Sequence, residues 1–261
     1  MNSPTLIVAS KEITEAIRDR RSLTSSMLFA LMGPTIVGLL TFTRTSAASE
    51  PTTLLALSSL FLLLSTFTGG MNIAMDTLAG ERERKSLLPL VMNPLSKLQL
   101  IVGKWISVSA FSVVALFLNF VAFAIIIDHV LSTRFAELAR LPLVACLLIA
   151  MIPLATLAAA AELAVSTNCR SVKEAHTWLA FLVFVPAGLG MFLAFHPGIF
   201  GEWSYAVPVL GQQVLLSTLD AGKMPSLSDV FVLCAVSVVS TISLLRVTSK
   251  ILQRDDVLYG N

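Results

Sequence analysis

WISVSAFSVVALFLNFVAFAIII, residues 105–127, contains no charged side chain. A helix needs roughly 20 mostly apolar residues to cross the hydrocarbon layer of a bilayer, and this stretch has that length. With its flanking residues it reads as a span over about 104–128. Working outward, comparable runs occupy about 22–43 and 51–76 before it, and about 141–163, 175–197 and 227–247 after it. The last of these crosses the layer with Asp229 held at headgroup level. Hydrophobic residues make up 56% of the chain and charged ones 13%, with a mean hydropathy of +0.84. Soluble domains carry about 25% charged residues, so the composition excludes an ordinary globular domain. The expected fold is an all-α polytopic membrane protein, a single transmembrane domain over 1–261 with six spanning helices. A full-length apolar run follows the first charged cluster directly, so the first span, not a cleaved leader, is expected to act as the targeting signal.

Charge placement sets the orientation. With six spans and the N-terminus inside, fourteen Lys and Arg residues fall on the inner side and four (Arg44, Arg134, Arg140 and Lys223) on the outer side. That distribution obeys the positive-inside rule, and it places both termini in the cytoplasm. The segment 203–219 is also apolar, yet counting it as a seventh span would shift the ratio to 12 to 6. It is therefore expected to be a re-entrant or interfacial outer hairpin whose irregular backbone protein buries, with Trp203 and Tyr205 as interface anchors.

Ahead of the first span, Leu6, Ala9, Ile13, Ala16 and Ile17 recur at helical spacing, while Lys11, Glu12, Glu15, Arg18 and Asp19 fall elsewhere on the wheel. An amphipathic helix over 4–21, ending in Arg18, Arg20 and Arg21, suits the inner interface beside anionic headgroups. Small residues inside the spans, among them Gly33, Gly38, Gly69, Gly70 and the run Ala158, Ala159, Ala160 and Ala161, suit close helix packing.

Motifs for chemistry are absent. Gly103 and Lys104 are followed by Trp105, and Leu98 stands where a phosphate loop needs its first glycine. There are only three histidines, no HExxH and no GxSxG. Cys146, Cys169 and Cys234 have no motif spacing and read as inert packing residues. No internal repeat supports an inverted-repeat secondary carrier. The expectation is a protein that catalyses nothing and binds no cofactor, metal or nucleic acid.

The informative polar segment is DTLAGERERKSLLPLVMNPLSKLQLIVGK, residues 76–104, on the inner side. Alternating Glu81, Arg82, Glu83 and Arg84 precede an apolar stretch from Leu87 and Leu88 to Met92. Asn93 and Pro94 then break the helix, since proline disfavours helix in the residue before it and can open the next one. The expected product is a helical hairpin whose second arm enters the third span.

This segment resembles the loop that characterises the ABC-type export permeases, the family that includes the NatB-like sodium-efflux permeases. There, an acidic residue followed by Arg-Glu-Arg, a leucine-rich helix, a Pro-x-Ser-Lys/Arg turn and a Gly-Lys pair follow the second span. Gly80, Glu81, Arg82, Glu83, Arg84, Leu87, Leu88, Pro94, Ser96, Lys97, Gly103 and Lys104 occur here in that order. Arg170, Ser171, Val172, Lys173, Glu174 and Ala175 are similar to the family's element between spans four and five, and 207–222 to its outer Pro/Gln/Leu segment. Two departures stand out. Lys85 and Ser86 occupy the place of a frequent Gly-Thr, and 44–52 is too short for the large outer domain of many sodium-efflux members.

The resemblance implies a permease subunit of an exporter in the inner (plasma) membrane. ATP and Mg²⁺ would bind a separate ABC ATPase subunit, and a second permease chain, identical or not, would complete the path. The ATPase-coupling candidates are Glu81, Arg82, Glu83, Arg84, Leu87, Leu88, Pro94, Lys97, Arg170, Lys173 and Glu174. Intramembrane charge is costly and so often functional, which makes Glu162 and Asp76 the substrate-path candidates. Sodium, another cation or a small amphiphile would be the cargo. The competing classes are a stand-alone secondary transporter or channel, and a membrane enzyme or assembly factor.

Overall fold

The computed structural model describes residues 4–42, 51–86, 95–131, 141–196 and 198–253. The chain begins with helix α1 (Pro4–Arg18), and after a one-residue break at Asp19 continues as α2 (Arg20–Phe42). The expected amphipathic helix thus stops at Arg18, and Arg20 already belongs to the first long helix. Next comes α3 (Pro51–Thr68), then α4 (Met71–Ala74), a π-helical segment (Met75–Gly80) and α5 (Glu81–Glu83), which together prolong the second span well past its apolar run. After these follow α6 (Lys97–Leu131), α7 (Leu141–Asn168), α8 (Val172–Phe195), a 3₁₀ turn (Glu202–Ala206), α9 (Leu210–Asp220) and α10 (Leu227–Ile251). No strand occurs among the described residues.

Among the described residues, six helices are long and apolar enough to cross a membrane: Leu23–Phe42, Leu54–Glu83, Lys97–Ile126, Cys146–Asn168, Val172–Leu193 and Leu227–Ile251. The helices outrun the apolar stretches because helix formation needs only backbone pairing, whereas the stretch ends at the first charge. Prolines 34, 153 and 186 lie inside three of them, tolerated where neighbouring helices satisfy the freed backbone groups.

Alanines 159 and 160 are fully buried in one core cluster, which joins α7 to α10 through Leu245 and Leu252 and to α6 through Ile101 and Val108. Between spans, attraction comes from close packing and polar bonds rather than from water exclusion. Trp105 Nε1 donates to the Thr156 carbonyl (2.9 Å), Asn119 Nδ2 to the Ala30 carbonyl (2.6 Å) and Asn72 Nδ2 to Ser25 Oγ (2.9 Å).

The 203–219 segment forms the 3₁₀ turn and the short α9, which buries Leu210, Gln212, Gln213, Leu215, Leu216 and Leu219. Gln212 Nε2 donates to Ser237 Oγ of α10 at 2.9 Å. Trp203 is exposed, whereas Tyr205 turns into a core cluster instead of serving as an anchor.

Candidate functional site

The sequence candidates converge on one end of the bundle, where α1, the extended second span, the start of α6 and the α7–α8 turn meet. Helix α1 presents two faces there. Val8, Ala9 and Glu12 are buried against the protein, while Leu6, Ile7 and Ile17 are exposed. The docked face therefore runs through Glu12, a residue the apolar pattern assigns to the polar side.

Gly103 explains how α1 comes so close. A Cβ added there would lie 2.7 Å from Val8 Cβ and 2.9 Å from the Thr5 carbonyl, so only glycine lets α1 sit on α6. The adjacent Lys104 is completely buried. Its ammonium contacts Glu12 Oε1 at 2.9 Å, donates to the Thr77 carbonyl at 2.8 Å, and lies 2.9 Å from Glu81 Oε2. The Glu81 contact is an ion pair rather than an aligned hydrogen bond. Lys11 stands beside them, 3.6 Å from Glu12, 3.4 Å from Glu15 and 3.8 Å from Glu81. Partial burial opposes its charge, but the carboxylates of Glu12, Glu81 and Glu15 outweigh burial and raise its pKa.

The π-helical segment feeds the same junction. Its wider turn takes backbone groups out of the regular α-helical ladder. Lys104 takes up the Thr77 carbonyl, and Ser166 Oγ accepts from the Ala79 N–H at 3.2 Å.

All four residues of the Glu/Arg string make contacts within the chain. Glu81 meets Lys104, and Arg82 Nη1 donates to the Cys169 carbonyl at 3.1 Å. Glu83 Oε2 accepts from the Val172 N–H at 2.9 Å, at the start of α8. Arg84 pairs with Asp76 two turns back, over Gly80, where a Cβ would strike both side chains. The string then closes in a Schellman turn: Lys85 N–H donates to the Arg82 carbonyl and Ser86 N–H to the Glu81 carbonyl, with Lys85 at φ +56°.

Around the α7–α8 turn, Ser171 Oγ accepts from the Glu174 N–H (3.2 Å), while Arg170 N–H donates to Glu174 Oε2 (2.8 Å), a reciprocal cap on α8. Lys173 is exposed. The Cys169 thiol is pushed up to about 11 by burial first and by Glu174 next, against Arg82, which keeps it unreactive. All three cysteines are free.

Helix α6 starts from its own capping box, in which Ser96 N–H donates to Gln99 Oε1 and Gln99 N–H donates to Ser96 Oγ. Ser96, rather than Pro94, thus opens the helix, and Lys97 is its first residue. Leu87, Leu88 and Pro94 lie outside the described residues.

The two substrate-path candidates differ. Asp76 is half-exposed and held by Arg84. Glu162, on α7, is 1% exposed, and neither carboxylate oxygen has a hydrogen-bond partner among the described residues. Glu12 and Lys104 were not among the expected site residues. The available signal was the adjacency of a glycine and a lysine at the mouth of an apolar run.

Residues 6–247 match the model of a family described as ABC-2 family transporter protein. The ABC transporter permease protein NatB of Bacillus subtilis (strain 168) is 32% identical over 185 residues, 65% of this chain and 45% of that protein. The probable ABC transporter permease protein NosY of Pseudomonas aeruginosa is 35% identical over 104 residues, 38% of this chain and 36% of that protein. The chain therefore spans less than half the length of these relatives. With six apolar helices and a family match reaching from α1 into α10, the chain belongs to the ABC-2 family of transporter proteins, as a multi-pass transmembrane component.

Proposed function

We propose that this chain is the permease subunit of an ABC exporter, carrying substrate out of the cell through the inner (plasma) membrane with ATP hydrolysed by a separate ATPase subunit. The observation that carries the reading is the junction at Lys104, where α1 and the end of the second span are locked to the third spanning helix. An ion gradient acts on sites inside the membrane and needs no such assembly at one face. A separate motor does, because its closure must reach the helices through a stiff connection. ATP and Mg²⁺ then belong to the partner, and two permease chains enclose the path.

Since the Glu/Arg string is engaged internally, its role becomes that of a brace. The surface offered to the ATPase includes the exposed Lys85, Ser86 and Lys173. Both termini and this surface lie in the cytoplasm on the charge distribution. Glu162 marks the substrate path, because an unpaired carboxyl held in the membrane interior is costly to keep. Sodium, another cation or a small amphiphile fits such a site.

Affinity purification tests the reading. The permease is expected to retain an ABC ATPase and to support ATP-dependent, vanadate-sensitive transport in inverted vesicles. Purification without an ATPase, together with transport driven by an ion gradient alone, would favour a secondary carrier instead. Labelling of Lys97→Cys by an impermeant maleimide from outside the cell would overturn the orientation.

A further inference from the structure

We propose that Lys104 is the joint that makes α1, the Thr77 to Glu81 stretch and α6 move as one body, and so is a positioning residue for coupling; the coupling part rests on the function proposed above. One ammonium, with no exposure, serves three acceptors on two segments besides its own helix: Glu12 of α1, and Glu81 and the Thr77 carbonyl of the prolonged second span. Withdrawing either carboxylate takes away one of the two counter-charges of a buried ammonium, and withdrawing the Thr77 carbonyl leaves one of its protons without an acceptor, each unfavourable in a dry site. The segments therefore cannot separate from α6 singly. Helix α6 runs unbroken from Lys97 to Leu131, so a displacement at Lys104 is delivered along its whole length.

Stability alone does not account for this arrangement. Buried ion pairs can be replaced by apolar residues of similar volume with little loss, and an apolar contact would hold α1 equally well. A contact of that kind, however, slides. Charge fixes register, which is what a mechanical joint needs. Of the other ion pairs of the region, Arg84 with Asp76 is exposed and lies within the prolonged second span, and Lys11 with Glu81 ties α1 to that span without reaching α6, so neither can perform this task.

The test compares the parent with the variant E12M/E81M/K104M, which keeps the volume and removes all three charges. Spin labels are placed at Ser10 on α1 and Ile125 near the far end of α6, both exposed, in a background lacking the native cysteines. In the complex with its ATPase, the parent's Ser10–Ile125 distance is expected to stay fixed between the nucleotide-free and ADP-vanadate-trapped states. In the variant, trapping is expected to shift it by about 2 Å or more. A parent distance that changes on trapping, or a variant distance that does not, overturns the proposal.

The permease alone supplies a second reading independent of the ATPase. Its Ser10–Ile125 distance distribution is expected to broaden in the variant, and an unbroadened distribution also overturns the joint. Failure to retain any ATPase, with this broadening present, overturns the exporter reading and leaves the joint standing. Should the triple variant fail to accumulate in membranes, Glu12→Gln, which leaves the Glu81 pair in place, is expected to give a smaller broadening on the same measurement, and no broadening overturns the proposal.

Discussion

Lys85 adopts φ +56° at the left-handed position of the Schellman turn that ends the Glu/Arg string. A side chain there crowds the backbone, at a cost of about 1–2 kcal/mol that glycine avoids. Lys85→Gly is expected to raise the thermal midpoint of the detergent-purified protein, and a lowered midpoint would show that the lysine makes a compensating contact. Asp220, at the end of α9 and outside the six spans, offers a pH handle. Burial pushes its pKa from the ordinary 3.8 up to about 7, partly offset by a hydrogen bond from Ser59 of α3. Because the folded value is raised, the group stabilises the fold fully below its unfolded pKa, and that contribution is lost as pH rises through about 7. Thermal melts from acidic to mildly alkaline pH should therefore show a falling midpoint in the parent. Asp220→Asn should flatten that fall, and an unchanged slope would mean that another group sets it.

At the scale of elements, α1 shows where sequence reading succeeded and where it stopped. Its helical period and position were legible, because apolar residues at Leu6, Ala9, Ile13 and Ile17 repeat with the turn. Which face docks was not, because Glu12 counts as polar until Lys104, 92 positions later, is brought to it. Pairing across such a distance leaves no local periodicity. The same holds for Glu83 with the Val172 N–H and Arg82 with the Cys169 carbonyl: each string residue looks solvent-directed on its own helix. Gly103 tests the packing directly. Gly103→Leu would drive a side chain into Val8 and the Thr5 carbonyl, so α1 should lift away. In an Ala9→Cys background, maleimide labelling of this normally buried position is expected to accelerate by about tenfold. Unchanged labelling would mean that α6 yields instead of α1.

For the whole molecule, the six spans were readable from hydropathy because a bilayer demands length and apolarity of every crossing helix. The interior polar groups were not, since a charge within an apolar run could equally sit at a helix end. The structure separates the cases: Asp76 is half-exposed and paired, while Glu162 is buried on α7 with both oxygens unpartnered among the described residues. A buried carboxyl without partners lowers stability by about 1–3 kcal/mol. If the fold were selected for stability alone, an apolar residue would stand there. Glu162→Leu and Glu162→Gln should therefore both raise the thermal midpoint, the leucine variant more, since the amide still needs partners. On the proposed function the same variants abolish ATP-dependent transport in inverted vesicles while still retaining the ATPase subunit. Higher stability combined with normal transport would reduce Glu162 to a packing defect, and lower stability in both variants would point to a partner for its carboxyl in the assembled transporter. Only the pairing of gained stability with lost transport assigns the residue to the substrate path.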